Sequence, residues 1–219
     1  MYAISHAATA LVLKRRYPTA PLWPLLISVQ AVELLWVLFT YLGIEHIDVV
    51  DGKLTLGFLP YSHSVGSGIA VALIGAAIVK ARGGDRRFAI AVALGVFSHI
   101  VLDIIQHEPD IYLLPIARGP RLGLGLDGVP LANLVIELAY GVACWWLYRG
   151  GKGLLIGIVT FNLLDAPMMF RTARAVALLG AHPALLTTVV LVQIVASWIL
   201  VARLAPTQTT AGYGLRTAD

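Results

Sequence analysis

Long apolar stretches leave this chain few folds to choose from. Six stretches, 21–43, 65–81, 87–106, 129–148, 153–170 and 183–204, are each long enough to cross a bilayer core as a helix; about 17–25 residues suffice for that. Inside hydrocarbon every backbone N–H and C=O must be bonded within the protein, so such stretches are helices or parts of closed barrels. The lengths here favour helices. With 58% hydrophobic residues, 13% charged residues and a mean hydropathy of +0.83, the chain falls outside the soluble globular range. The expectation is an all-α, polytopic membrane helical bundle with about six spans. The apolar start, 2–13, is too short to cross and reads as a half-inserted or re-entrant helix. Residues 1–205 read as a single integral-membrane helical domain. The tail 206–219, with Thr207, Gln208, Thr209 and Thr210, reads as a disordered end.

Charges between the stretches suggest an orientation. Lys14, Arg15 and Arg16 precede the first span; Lys80, Arg82, Arg86 and Arg87 lie between the second and third; Arg149 and Lys152 lie between the fourth and fifth. The positive-inside rule makes these segments, and Arg203 after the sixth span, cytoplasmic. The alternate loops then face outward, with Glu45, Asp48, Asp51 and Lys53 in the first. Arg118, Arg121, Arg171 and Arg174 in the other outer loops weaken the pattern without reversing it. The net charge of +4 therefore reads as topology, and no basic tract argues for a nucleic-acid partner. The charges at the N-terminus follow the apolar stretch, unlike those of a signal peptide. Cys144, the sole cysteine, can form no intrachain disulfide. The expected location is a bacterial or archaeal cytoplasmic membrane, and the first partner is the lipid bilayer. Oligomeric state is not legible.

Against this background the polar residues inside apolar stretches stand out. His99, Asp103 and His107 are spaced i, i+4, i+8 and share a helical face. A histidine and a carboxylate on successive turns can offer two ligands to one metal, and ionisable groups at membrane depth are costly enough to imply function. The topology puts these residues in the outer half of the third span, near the level of His63. Glu33 lies just past the middle of the first span, Glu137 near mid-depth, and Asn162 and Asp165 in the outer half of the fifth. His6 lies in the N-terminal helix at a depth the sequence leaves open. Each has a plainer reading. His99 and Asp103 could be a buried hydrogen-bonded pair, and His63 a helix cap beside Ser62 and Ser64. Glu33 could pair with a nearby cation, and Glu137 could be a protonated carboxyl. Asp165 and His107 could mark helix ends, and His46 and His182 read as solvated. The small residues Ser64, Gly66, Ser67 and Gly68 could expose backbone N–H groups to a phosphate or permit close helix packing.

His6, the His63–Ser64 dipeptide and the run Ser98, His99, Leu102, Asp103 resemble, in that order, the YdjM-like family of membrane-bound metal-dependent hydrolases. That family is distantly similar to zinc-dependent phospholipase C. The resemblance covers about the first half of the chain. It implies His6, Glu33, His63, His99 and Asp103 as metal ligands, with His107 a further candidate. Two positions depart from it: only Glu33 stands where an Asp-rich motif is usual, and Tyr61 replaces a basic residue before the HS dipeptide. Asn162 and Asp165 match a second histidine–carboxylate helix poorly, so one or two metals are expected.

The leading functional expectation is a membrane-embedded metal-dependent hydrolase acting on a lipid or lipid-linked phosphate or ester at the outer leaflet. Its cofactor is a divalent metal, with zinc expected. His63, His99 and Asp103 would hold the metal. Glu33 would act as general base or bridge a second ion, and Ser64, Glu137, Asn162 and Asp165 would support the ligands. A metal-ion or proton transporter or channel is the alternative, because intramembrane acids and histidines also build ion paths. A non-catalytic membrane subunit fastened by its polar cluster is the third reading.

Overall fold

The computed structural model describes residues 1–50, 53–116, 118–170 and 172–205. The chain forms α1 (Ala3–Arg16), α2 (Leu22–Ser28), α3 (Ala31–Tyr41), α4 (Val65–Ala81), α5 (Arg86–Gln106), α6 (Pro130–Tyr148), α7 (Lys152–Met169), α8 (Ala173–Ala181) and α9 (Pro183–Leu204). Four of these, α5, α6, α7 and α9, are long and apolar enough to cross a membrane; α2 and α3 together make a fifth candidate if their 53° bend is counted within one span. The count differs from six for two physical reasons. The stretch 21–43 is broken, and α4, at 17 residues, is shorter than the other spans. The expected tail, 206–219, lies outside the described residues, as do Asp51 and Arg171.

The N-terminal helix is 14 residues long, and every residue from Ala3 to Leu11 is buried. A helix buried on all sides is a core element. It packs against α2, α5, α6 and α9. Ile4 and Leu11 join Leu25, Leu26, Val92, Ile158 and Val201 in the main apolar core.

The break between α2 and α3 brings a bare backbone carbonyl and the start of α3 to the end of α5. Val29 and Gln30 carry the bend and are fully buried, which is where non-helical backbone at membrane depth is tolerated. Gln30 Nε2 donates to the Ala3 carbonyl at 2.8 Å, tying the bend to α1. One face of α2 lies directly on α5 at Gly95, where a Cβ would collide with Ser28 Oγ. Glycine there is a packing requirement.

Two short hairpins interrupt the helical pattern. β1 (His46–Val50) pairs antiparallel with β2 (Lys53–Phe58), and β3 (Ile111–Tyr112) pairs antiparallel with β4 (Arg121–Leu122). A single 3₁₀ turn, Leu126–Gly128, leads into α6. These elements and α8 occupy segments that the sequence presents only as loops.

Candidate metal centre

Four side chains from three elements meet at the end of the bundle where α5 finishes. His99 and Asp103 project from successive turns of α5. His63 stands just before the first turn of α4, and Glu33 lies in the first turn of α3. One ligand atom from each lies within 4.8 Å of all the others. His63 Nε2 is 3.2 Å from Glu33 Oε2 and 3.6 Å from Asp103 Oδ2; His99 Nε2 is 3.3 Å from Glu33 Oε2 and 2.9 Å from Asp103 Oδ2. Tetrahedral ligands at zinc-like bond lengths sit about 3.3–3.4 Å apart. The four separations straddle that spacing. His99, Asp103 and His63 are at most 4% exposed, whereas the Glu33 side chain is 21% exposed. Glu33 is thus the donor nearest to solvent.

The far nitrogen of each histidine is held by the protein. His99 Nδ1 donates to the Val29 carbonyl at 2.8 Å. In an unbroken helix that carbonyl would be taken by the N–H four residues on, so the α2–α3 bend supplies the acceptor. His63 Nδ1 lies 2.8 Å from Ser62 Oγ, and Ser62 Oγ donates to Glu45 Oε2 at 2.5 Å. Since its own proton goes to Glu45, the Ser62 hydroxyl must accept from His63 Nδ1–H. Both neutral imidazoles then present a bare Nε2 to the two carboxylates, which is the tautomer metal-bound histidines use.

Glu45 is the residue that sequence reasoning missed, because its position groups it with the acids of an outer loop. It is 1% exposed and also accepts from the Tyr61 and Ser62 backbone N–H groups, each at 2.8 Å. Ser62, adjoining His63, is its only trace in the sequence.

The remaining candidates fall into place around these four. The His6 ring stacks on His99 with centroids 3.9 Å apart, and its Nε2 is 3.3 Å from Asp103 Oδ1; neither ring nitrogen makes a hydrogen bond among the described residues. The N-terminal amine is also 2.7 Å from Asp103 Oδ1. His107 follows the last turn of α5, its ring centroid 6.0 Å from that of His63 and its Nδ1 3.4 Å from Asp110 Oδ1. Burial opposes charge on His107, but the Asp110 and Asp103 carboxylates outweigh it and raise its pKa above the usual histidine value. It stands outside the four-donor group and lines the cavity beside it.

Ser64 caps α4 by accepting from Ser67 N at 3.1 Å. Gly66 N is bonded to Leu113 O at 3.0 Å and Gly68 N to Ser64 O at 2.9 Å, so the N–H groups of Gly66, Ser67 and Gly68 are all taken within the protein. Glu137 accepts from Tyr2 N at 3.0 Å and from Ser5 Oγ, fastening α6 to the start of α1. Asn162 Nδ2 donates back to Ile158 O within α7, and Asp165 Oδ1 accepts from Gln193 Nε2 of α9 at 2.7 Å. Neither Glu137, Asn162 nor Asp165 belongs to the four-donor group; Gln193, the partner of Asp165, lines the adjacent cavity.

That cavity, of about 190 Å³, reaches Glu33, His63 and Asp103 and continues past Trp36, Gln106, His107 and Gln193. The arrangement can bind a divalent cation and admit a small polar group beside it. No protein-family model, curated protein or solved structure matches the chain. The functional reading therefore rests on the chain's own residues and geometry.

Proposed function

We propose that this chain is a membrane-embedded, metal-dependent hydrolase acting on a lipid or lipid-linked phosphate or ester at the outer leaflet. The YdjM-like resemblance is part of the same proposal, as are zinc as the metal and a bilayer placement in which α4 adds a sixth span and α1 is half-inserted. One observation supports the metal centre above all: two Nε2 atoms with protein-held Nδ1 partners converge on two carboxylates at metal-ligand spacing. A divalent cation bound there supplies a Lewis acid and acidifies water.

The chain's residues divide the remaining work. His63, His99 and Asp103, the three buried donors, hold position. Glu33, the exposed one, faces the cavity and takes a proton from the attacking water. The water oxygen bonds to the phosphorus or acyl carbon and the ester bond to the leaving alcohol breaks. The proton returns from Glu33 to the departing oxygen, so the hydrolysis balances.

Metal analysis of the purified protein tests this reading, with His99→Ala and Asp103→Ala alongside. The expected result is about one divalent transition metal per chain in the wild type and loss from both variants. A folded wild type that binds no such metal when zinc is supplied would overturn it.

A further inference from the structure

The cavity beside the metal centre has two unlike walls. The end of α5 and the segments after it contribute Gln106, His107, Glu108, Asp110 and Asp127. The facing wall is apolar: Trp36 from α3 and Leu186, Val190 and Ile194 from α9, with Ile47, Leu59 and Met168 beside them. Neither lysine nor arginine lines the cavity among the described residues. A divalent cation and the N-terminal ammonium, 2.7 Å from Asp103 Oδ1, together outweigh Glu33 and Asp103 by one charge, and the three carboxylates of Glu108, Asp110 and Asp127 still leave the lining net negative.

A second observation is independent of that charge. Gln106 is 6% exposed, its Nε2 is turned toward Asp127 Oδ1 at 3.4 Å, and its Oε1 has no hydrogen-bond partner among the described residues. Asp110 Oδ1, on the same wall, is paired with His107 Nδ1 at 3.4 Å. A buried acceptor left unmet costs roughly 1–3 kcal/mol. The Gln106 oxygen calls for a ligand that donates an N–H group. A phosphate monoester, with two negative charges and only acceptors, is the wrong complement to this wall.

We infer that the cavity selects an amphiphile whose head carries a primary ammonium group, seated on Gln106 Oε1 and the Asp110, Asp127 and Glu108 carboxylates, with its apolar part toward α3 and α9. This names the substrate class of the hydrolase proposed above and rests on that reading. The requirement for N–H donors separates a primary ammonium from a quaternary one, which could satisfy the charge but not the amide oxygen. A lipid headgroup and a free amine share this chemistry.

The test uses the metal-loaded protein in nanodiscs that differ only in a minor lipid of fixed chain length. That lipid carries an ethanolamine, choline or glycerol headgroup, and soluble glycerophosphoethanolamine, a diester like the lipid, serves as a further arm. Lipid binding is read by native mass spectrometry and metal content by elemental analysis of the same samples. The ethanolamine lipid should bind about tenfold more tightly than the glycerol lipid, with the choline lipid between them. Glycerophosphoethanolamine should compete if the head alone suffices; failure to compete assigns the site to the intact lipid and leaves the ammonium requirement standing. Glu108 is exposed at the mouth, so Glu108→Lys should fold and abolish the preference. Gln106→Leu should reduce the ethanolamine–choline difference specifically. Equal binding of the three lipids, or a preference for the glycerol headgroup, by protein that retains its metal would overturn this inference and leave the metal centre intact. Protein without metal overturns the hydrolase reading first.

Discussion

Glu45→Gln tests the metal centre from outside it, because this change keeps the shape of the side chain and alters one proton. Glu45 now accepts three hydrogen bonds, from Tyr61 N, Ser62 N and Ser62 Oγ. A glutamine can keep the two backbone bonds through its oxygen. Its amide nitrogen then faces Ser62 Oγ at the position where the carboxylate accepted, and the hydroxyl must become an acceptor there. Its proton turns to His63 Nδ1, which forces the His63 proton onto Nε2, the atom that faces Glu33 and Asp103. Loss of such an outer partner costs 10- to 100-fold in metal affinity, about 1.4–2.7 kcal/mol. Zinc titration calorimetry on protein purified in detergent reads the affinity, and circular dichroism confirms the fold. Ser62→Ala, which removes the relay without imposing the wrong tautomer, should lose less than Glu45→Gln. Wild-type zinc affinity in folded Glu45→Gln, or a larger loss in Ser62→Ala, would refute the tautomer argument.

Three further outcomes are expected. Gly95→Ala places a methyl group against Ser28 Oγ and should cost about 1–3 kcal/mol by overpacking; thermal unfolding reads the loss, and Ser28→Gly in the same chain should recover most of it. Ser5→Ala removes a hydroxyl from the buried Glu137 carboxyl and should destabilise the protein by about 1–3 kcal/mol while metal content stays at the wild-type level; metal loss with unchanged stability would instead place Glu137 in the centre. Chelation should lower the unfolding temperature reversibly, since a ligand at 1,000 times its Kd stabilises by about 4 kcal/mol, and restored zinc should restore the temperature in the wild type but not in Asp103→Ala.

Legibility in the sequence tracks the range of the interaction. His99 and Asp103 are four residues apart on one helix, so their shared face is visible from spacing alone. His63 and Glu33 come from other elements, and only their cost at membrane depth marks them. The class of fold is visible in the apolar lengths, but the break at Val29–Gln30 is not. Neither residue is proline or glycine, and what stabilises the bend is remote: Ala3 for Gln30 and His99 for Val29. Glu45 is hidden for the same reason, since its partner Ser62 lies 17 positions away. His107 has the right residue type and spacing, but the chain turns at the end of α5 and sets it beside the centre. Burial of α1 is likewise beyond local pattern, because a helix of small and apolar residues can sit in a core or at an interface.

Two carboxylates and two imidazoles brought together away from water need two positive charges for neutrality. Protons on both histidines could supply them, and so could one divalent cation; the N-terminal ammonium at Asp103 Oδ1 contributes one charge in either case. Geometry distinguishes the two. A proton on Nε2 makes a directed bond to one oxygen, whereas a cation draws all its donors to similar spacing without aligning any N–H with any acceptor. His99 Nε2 and Asp103 Oδ2 are 2.9 Å apart and buried, and neither has a hydrogen-bond partner among the described residues. Glu33 Oε2 lies 3.3 Å from the same nitrogen and is not hydrogen-bonded to it. That half of the site has the spacing of ligands around an ion. His63 differs, because its Nε2 meets Glu33 Oε2 at 3.2 Å in hydrogen-bonding geometry, and with Nε2 bare that contact needs a proton between the two groups. A proton and a cation would therefore compete at the Glu33 side, where solvent reaches, and not at the α5 side, where Val29 and the helix fix the donors. An ion bound in such a centre would rest on the α5 donors, and Glu33 would be free to exchange a proton with whatever enters the cavity.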